Sequence, residues 1–259
     1  MTSRLLIITS VCLVNALPLH AQQSLLVSPE FNVSADAHAG VGFMIFTTTG
    51  LDPILQKHYE ETRLGLDAGM SLQFRLSNNF RLGVSGSYFS SGHTTDGVAI
   101  TVNNKTSKVT YSGELTDELE VIFGGVSGVY RLADQGSIKF DVVYSLGATF
   151  FTNNGIFIVD TFRVRANSFA YQFGFNVDIN LSEHMSMIMG LSYMNSVAHT
   201  VDFRNYTGKL PQLAVDSWDL RRFNLGVGLR YYFWKRKEGR SRPGRTPDPD
   251  DDYVPDRFK

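Results

Sequence analysis

From Phe169 to Leu181 the chain sets a large apolar side chain at every odd position and a small or polar one at every even position. A helix cannot separate these two sets, because its period is 3.6. A strand separates them fully, because successive side chains point to opposite faces. Thirteen residues also exceed the five or six or so of an ordinary strand in a soluble protein. A segment of about 9–11 alternating residues is what crossing a bilayer as a tilted strand requires. The first expectation is a transmembrane β-strand with one face toward lipid and the other wet.

The pattern recurs. Segments of similar alternation cover residues 31–46, 62–76, 80–90, 114–132, 137–152, 167–181, 185–197 and 218–233. In the first, Val33, Ala35, Ala37, Ala39, Val41 and Phe43 alternate with Ser34, Asp36 and His38. The fourth fits least well, and its phase blurs at Phe123-Gly124-Gly125, where a bulge or kink is expected. The second and third are joined by Ser77-Asn78-Asn79, the fourth and fifth by Ala133 to Gly136, and the sixth and seventh by Ser182-Glu183-His184. These are tight turns. The other connections are long. An even strand count with short turns on one rim and long loops on the other predicts an all-β fold, an eight-stranded antiparallel up-and-down transmembrane β-barrel. An open sheet would leave backbone groups unpaired in lipid.

The ends read differently. Arg4, an apolar stretch over 5–19 and Leu19-His20-Ala21 form a secretory signal peptide over 1–21, cut before Gln22. The barrel domain then spans 22–233. Residues 234–259 are rich in Lys and Arg, then in Pro and Asp, and read as a disordered periplasmic tail. Asp248, Asp250, Asp251 and Asp252 lack the glycine and distal glutamate of a calcium loop. The only cysteine is Cys12, inside the signal, so disulfides, thiol catalysis and thiolate metal sites are excluded from the mature chain. The net charge of −1, with no basic stretch interleaved with aromatics in the barrel region, argues against nucleic-acid partners.

With the apolar faces turned to lipid, the opposite faces supply a polar lumen network: Asp36, His38, Arg63, Asp67, Arg75, Arg81, Lys139, Asp141, Asp178, Arg222 and Arg230, with Gln73, Gln172, Asn176 and Asn224 beside them. An eight-stranded barrel is only wide enough for its own side chains to fill, so Arg–carboxylate pairing is the natural filling. No catalytic, cofactor or metal site is expected. His93, His199 and Ser196 fall near loop ends without forming a His-x-Ser pair, and His58 beside Glu60 and Glu61 reads as a solvated loop. The apolar stretches 51–55, 155–162 and 210–215 are expected either to offer a contact patch or to extend the strands above the membrane and pack on each other.

Asn224 to Phe233 carries Gly226, Gly228, Tyr231 and Phe233. It resembles the terminal strand of outer-membrane proteins, which the barrel-assembly machinery reads as an assembly signal; here that signal is internal, because 234–259 follow. The whole region 22–233 resembles the small outer-membrane β-barrels of Gram-negative bacteria, OmpA-, OmpX- and OmpW-like, of the Bacteroidetes type. That resemblance implies the bacterial outer membrane as location, with outer-membrane lipid and the assembly machinery as partners. The function expected is a non-enzymatic anchor or interaction subunit, for instance of a secretion or surface assembly with periplasmic or surface protein partners. The alternative is a narrow porin-like conduit for small hydrophobic molecules.

Overall fold

The computed structural model describes residues 33–45, 53–104, 107–158, 160–198, 201–205 and 218–233. The expected signal peptide and tail lie outside the described residues. The elements in order are β1 (Val33–Met44), α1 (Pro53–Thr62), β2 (Leu64–Arg75), β3 (Phe80–Asn104), β4 (Ser107–Asp134), β5 (Ile138–Ile158), β6 (Asp160–Asn180), β7 (Met185–Ala198), β8 (Val201–Asn205), β9 (Trp218–Asp219) and β10 (Arg222–Tyr232). Each strand from β1 to β7 pairs antiparallel with the next, β7 pairs with β10, and β10 pairs with β1. The eight-stranded ring is closed. β8 continues the line of β7 along the upper part of β6, and β9 pairs with the end of β7.

Closure brings backbones together at glycines. Gly40 lies opposite Gly226 across the β1–β10 seam, and Gly226 lies opposite Gly190 on β7. A Cβ on Gly40 would sit 2.0 Å from the Leu225 carbonyl oxygen. The seam therefore accepts no side chain there.

The outward face of the lower ring is apolar. Phe173, Phe175, Leu191, Leu225, Val227, Leu229, Val126, Leu72 and Met70 are all exposed. Aromatic residues edge this belt at both ends: Phe43, Tyr88, Phe150, Phe169 and Phe223 above, Tyr130, Phe140, Tyr231 and Phe233 below. Between Phe223 and Phe233 the strand climbs about 25 Å at ~3.3 Å per residue and a tilt of ~40°, the height of a bilayer-facing band. Among the described residues no helix is long and apolar enough to cross a membrane. The strands do the crossing.

The upper half differs from expectation. Segment three was expected to end at Ser90 and segment five at Thr152; β3 runs on to Asn104 and β5 to Ile158. Stretch 155–162 is the closing hairpin of β5 and β6, with Phe157 opposite Asp160, so it extends the strands as one of the two expectations had it. The β3–β4 ladder continues beyond the end of β5 for the rungs from Val98–Gly113 to Asn104–Ser107, a two-stranded blade about 20 Å long. Of the stretch 51–55, residues 53–55 begin α1, which sequence periodicity did not predict; 51–52 and 210–215 lie outside the described residues.

No irregularity occurs at Phe123-Gly124-Gly125, where one was expected. β4 pairs with β5 without a break from Glu114 to Arg131. The blurred phase has another cause: the two faces exchange character there. Below Ile122 the outward residues Val126 and Tyr130 are apolar and the inward Ser127 is polar; above it Glu118 and Glu120 face outward, while Leu119 and Val121, like Phe123 just below, face inward. β6 does the same, with Phe173 and Phe169 outward below and Arg165 and Arg163 outward above. The ring is a membrane barrel at its base and a water-soluble barrel at its top, built from the same strands. The bulges lie elsewhere, between Thr95 and Val98 in β3, where Gly97 takes φ 72°, and between Arg131 and Ala133 in β4.

Candidate functional site

The lumen has three levels. At the lowest, Arg230 is fully buried. Its Nε donates to Asp36 Oδ1 at 2.7 Å and its Nη2 to Asp36 Oδ2 at 3.0 Å. Its Nη1 reaches Asp141 Oδ2 at 3.1 Å and also Asp178 Oδ2. Asp141 is further held by Arg81 and by Arg131 Nε at 3.1 Å. Tyr232 donates to Asp178 at 3.1 Å and Ser71 to Asp36 at 3.1 Å. Three guanidinium groups thus meet three carboxylates from β1, β3, β4, β5, β6 and β10. Alternation aims each of these side chains inward, and the narrow bore brings them together. Bidentate Arg–carboxylate geometry is the strong form of this contact.

Of the other residues expected in the network, Lys139 donates instead to Asn180 Oδ1 at 2.7 Å, at the lower rim. Arg75 bonds the turn below it, Ser77 O at 3.2 Å and Asn78 Oδ1 at 2.7 Å. Arg63 lies between α1 and β2, with its guanidinium 5.9 Å from the centre of the Phe43 ring, which faces outward. Arg131, which joins the cluster, was not singled out from sequence, because β4's phase was blurred. Gly226 and Gly228 face inward on β10, and Tyr231 and Phe233 face outward in the lower aromatic edge.

The middle level is a cavity of about 100 Å³ lined by His38, Asp67, Gln73, Gln172, Asn224 and several serines. Gln73 Oε1 and Asn224 Oδ1 find no hydrogen-bond donor among the described residues. A polar cavity of this size has room for about three waters at ~30 Å³ each, enough to reach both oxygens. Arg222, fully buried, lies 3.5 Å from Asp67, donates to Ser87 at 3.0 Å and rests 5.1 Å from the centre of the Phe89 ring. His38 lies 3.7 Å from Asp67. Among the described residues no group of His, Cys, Asp or Glu could hold a metal ion.

The upper level is apolar. Met44, Phe89, Leu119, Val121, Phe151, Val164 and Leu220 are each 2% exposed or less. Trp218 packs against Phe151 at 5.1 Å between ring centres.

Above this, α1 is fastened to β3 and β4 below the blade, where β5 still pairs with β4. The His58 ring is fully buried rather than solvated as expected: Nε2 lies 2.8 Å from Asp117 Oδ2 and Nδ1 lies 2.9 Å from Thr95 Oγ1. Asn153 donates to the other oxygen of Asp117 at 2.6 Å, Ser91 bonds the carbonyl of Thr62, and His93 pairs with Glu61. The imidazole leaves no face for a reactant, so the contact acts as a clamp. Beside it, burial first and the Asp117 charge second push the Tyr59 phenol up to about 12.

A closed antiparallel ring with an apolar belt, aromatic edges and a charged interior defines a transmembrane β-barrel of the bacterial outer-membrane type. No protein-family profile and no curated protein matches the chain by sequence. Among solved structures it is similar to Ail, the attachment invasion locus protein of Yersinia pestis, in complex with sucrose octasulfate (14% identity, 78% of this chain and 99% of that one, TM-score 0.43). It is similar also to a major outer membrane protein of Thermus thermophilus (10% identity, 79% and 100%, TM-score 0.45). A third is the outer membrane protease OmpT of Escherichia coli (10% identity, 80% and 98%, TM-score 0.43).

Proposed function

We propose that this barrel is a sealed, non-enzymatic anchor whose working part is the extracellular superstructure. One observation carries the reading: the lumen is stopped twice, by the Arg230-centred ion cluster below and by the Phe89–Phe151 layer above. A conduit for small hydrophobic molecules would need an open funnel where these apolar side chains pack at 2% exposure or less. The blade of β3 and β4, rising above the His58 clamp at its base, is then the element presented to a partner at the cell surface. Single-channel recording of the full chain in planar bilayers tests this. The expected trace has no steady open level; a sustained ohmic conductance overturns the sealed reading.

A further inference from the structure

Just above the belt, the outward face of β6 and β8 carries a basic patch. Arg163 lies opposite Arg204 and Arg165 opposite Asp202, and these four residues line a small surface cavity of about 20 Å³. Like charges directly opposite each other across a ladder repel, yet the fold sets Arg163 against Arg204. Asp202 accepts from Arg204 Nε at 3.2 Å, and Asn154 accepts from Arg163 Nε at 2.6 Å. Among the described residues Arg165 makes no hydrogen bond or ion pair. On β4, Glu118 and Glu120 stand two strands away in the same rungs, about 10 Å off at ~4.8 Å per strand.

Height decides what can reach the patch. Phe169, 67% exposed, is the top of the belt on β6. Arg165 is four residues above it, which at ~3.3 Å per residue and a tilt of ~40° is about 10 Å higher, and Arg163 with Arg204 opposite it is two residues further, about 15 Å higher. The headgroup layer is about 5–8 Å thick on each side of the hydrocarbon, and a long arginine stem can reach back toward it. With the short turns on the periplasmic side, this is the outer leaflet.

We propose that Arg163, Arg165 and Arg204 form a binding site for the phosphate group of an outer-leaflet lipid. A phosphate between the two opposed arginines would turn their repulsion into two charge-assisted contacts, with the guanidinium fork matched to its oxygens. The free Arg165 supplies a third. The lipid's chains would lie along the belt below, over Phe169 and Phe173.

The test reconstitutes the full chain in phosphatidylcholine vesicles containing a minor fraction of phosphatidic acid, extracts it in mild detergent and measures the co-purified lipid ratio by mass spectrometry. Wild type is expected to carry phosphatidic acid above its bulk fraction. R163Q/R165Q/R204Q is expected to return to the bulk ratio, and R165Q alone to lose about tenfold in selectivity, the worth of one charge-assisted bond. E118Q/E120Q is expected to keep the enrichment. Heat-modifiable gel mobility reports that each barrel is folded. Wild type at the bulk ratio, or a folded triple variant that keeps the enrichment, overturns the site. Full displacement of the lipid by inorganic phosphate in the buffer also overturns it, because the site would then take a soluble anion.

Discussion

Replacing Arg230 with methionine tests the lower closure most directly. The cluster balances Arg81, Arg131 and Arg230 against Asp36, Asp141 and Asp178. Methionine keeps much of the bulk but removes one positive charge and four close contacts. Asp141 keeps two arginines; Asp36 keeps only Ser71 and Asp178 only Tyr232. One buried carboxylate is then uncompensated, and breaking a buried pair from one side costs about 3–5 kcal/mol. The double variant R230M/D36N restores the balance, and is expected to recover all but about 1–2 kcal/mol, the remaining lost hydrogen bonds. Equilibrium unfolding of the refolded barrel in detergent micelles, followed by tryptophan fluorescence, measures both. A loss in R230M below about 1 kcal/mol would mean the cluster is solvated rather than buried. A double variant no better than R230M would show that charge balance is not what holds it.

The exchange of faces along β4 predicts opposite outcomes for one substitution made at two positions eight residues apart. Val126→Arg, in the middle of the belt, is expected to destabilise by about 2–4 kcal/mol in vesicles, while Glu118→Arg, above it, is expected to stay within about 0.5 kcal/mol; equal effects would refute the placement of the boundary. The Tyr59 phenol, raised from 10.0 to about 12, favours the folded α1 region fully below pH 10, and that contribution is lost as pH rises toward 12. Ultraviolet titration of wild type against Y59F is expected to show one late tyrosine, and a difference curve centred near 10 would contradict the buried site.

What could be read from sequence was whatever depends on alternation alone. The lipid-facing odd residues from 169 to 181, the tight turns at 77–79 and 182–184 and the inward Asp36, Asp141, Asp178 and Arg230 follow from period two and the polarity rule of a barrel in lipid. The rule fails where the solvent changes. Leu119 and Val121 point inward among Glu118 and Glu120, so a reader expecting apolar-outward loses the phase and loses Arg131 with it. Strand ends above the membrane were missed for the same reason, since water accepts the outward arginines and threonines of β5 and β6. Asp96-Gly97 has the composition of a turn but forms a bulge within one continuous ladder. The His58 clamp joins residues 59 positions apart, and no local pattern announces it.

The exchange of polarity also works as a depth gauge. Because β4 and β6 each switch within one outward step without a change of register, sliding the barrel by two residues in either direction would push Glu120 into hydrocarbon or lift Ile122 into water. The chain therefore encodes its own waterline, and with it the height at which the blade stands above the cell. Lengthening the superstructure would raise what it displays; shifting the belt would not, because the bilayer would follow.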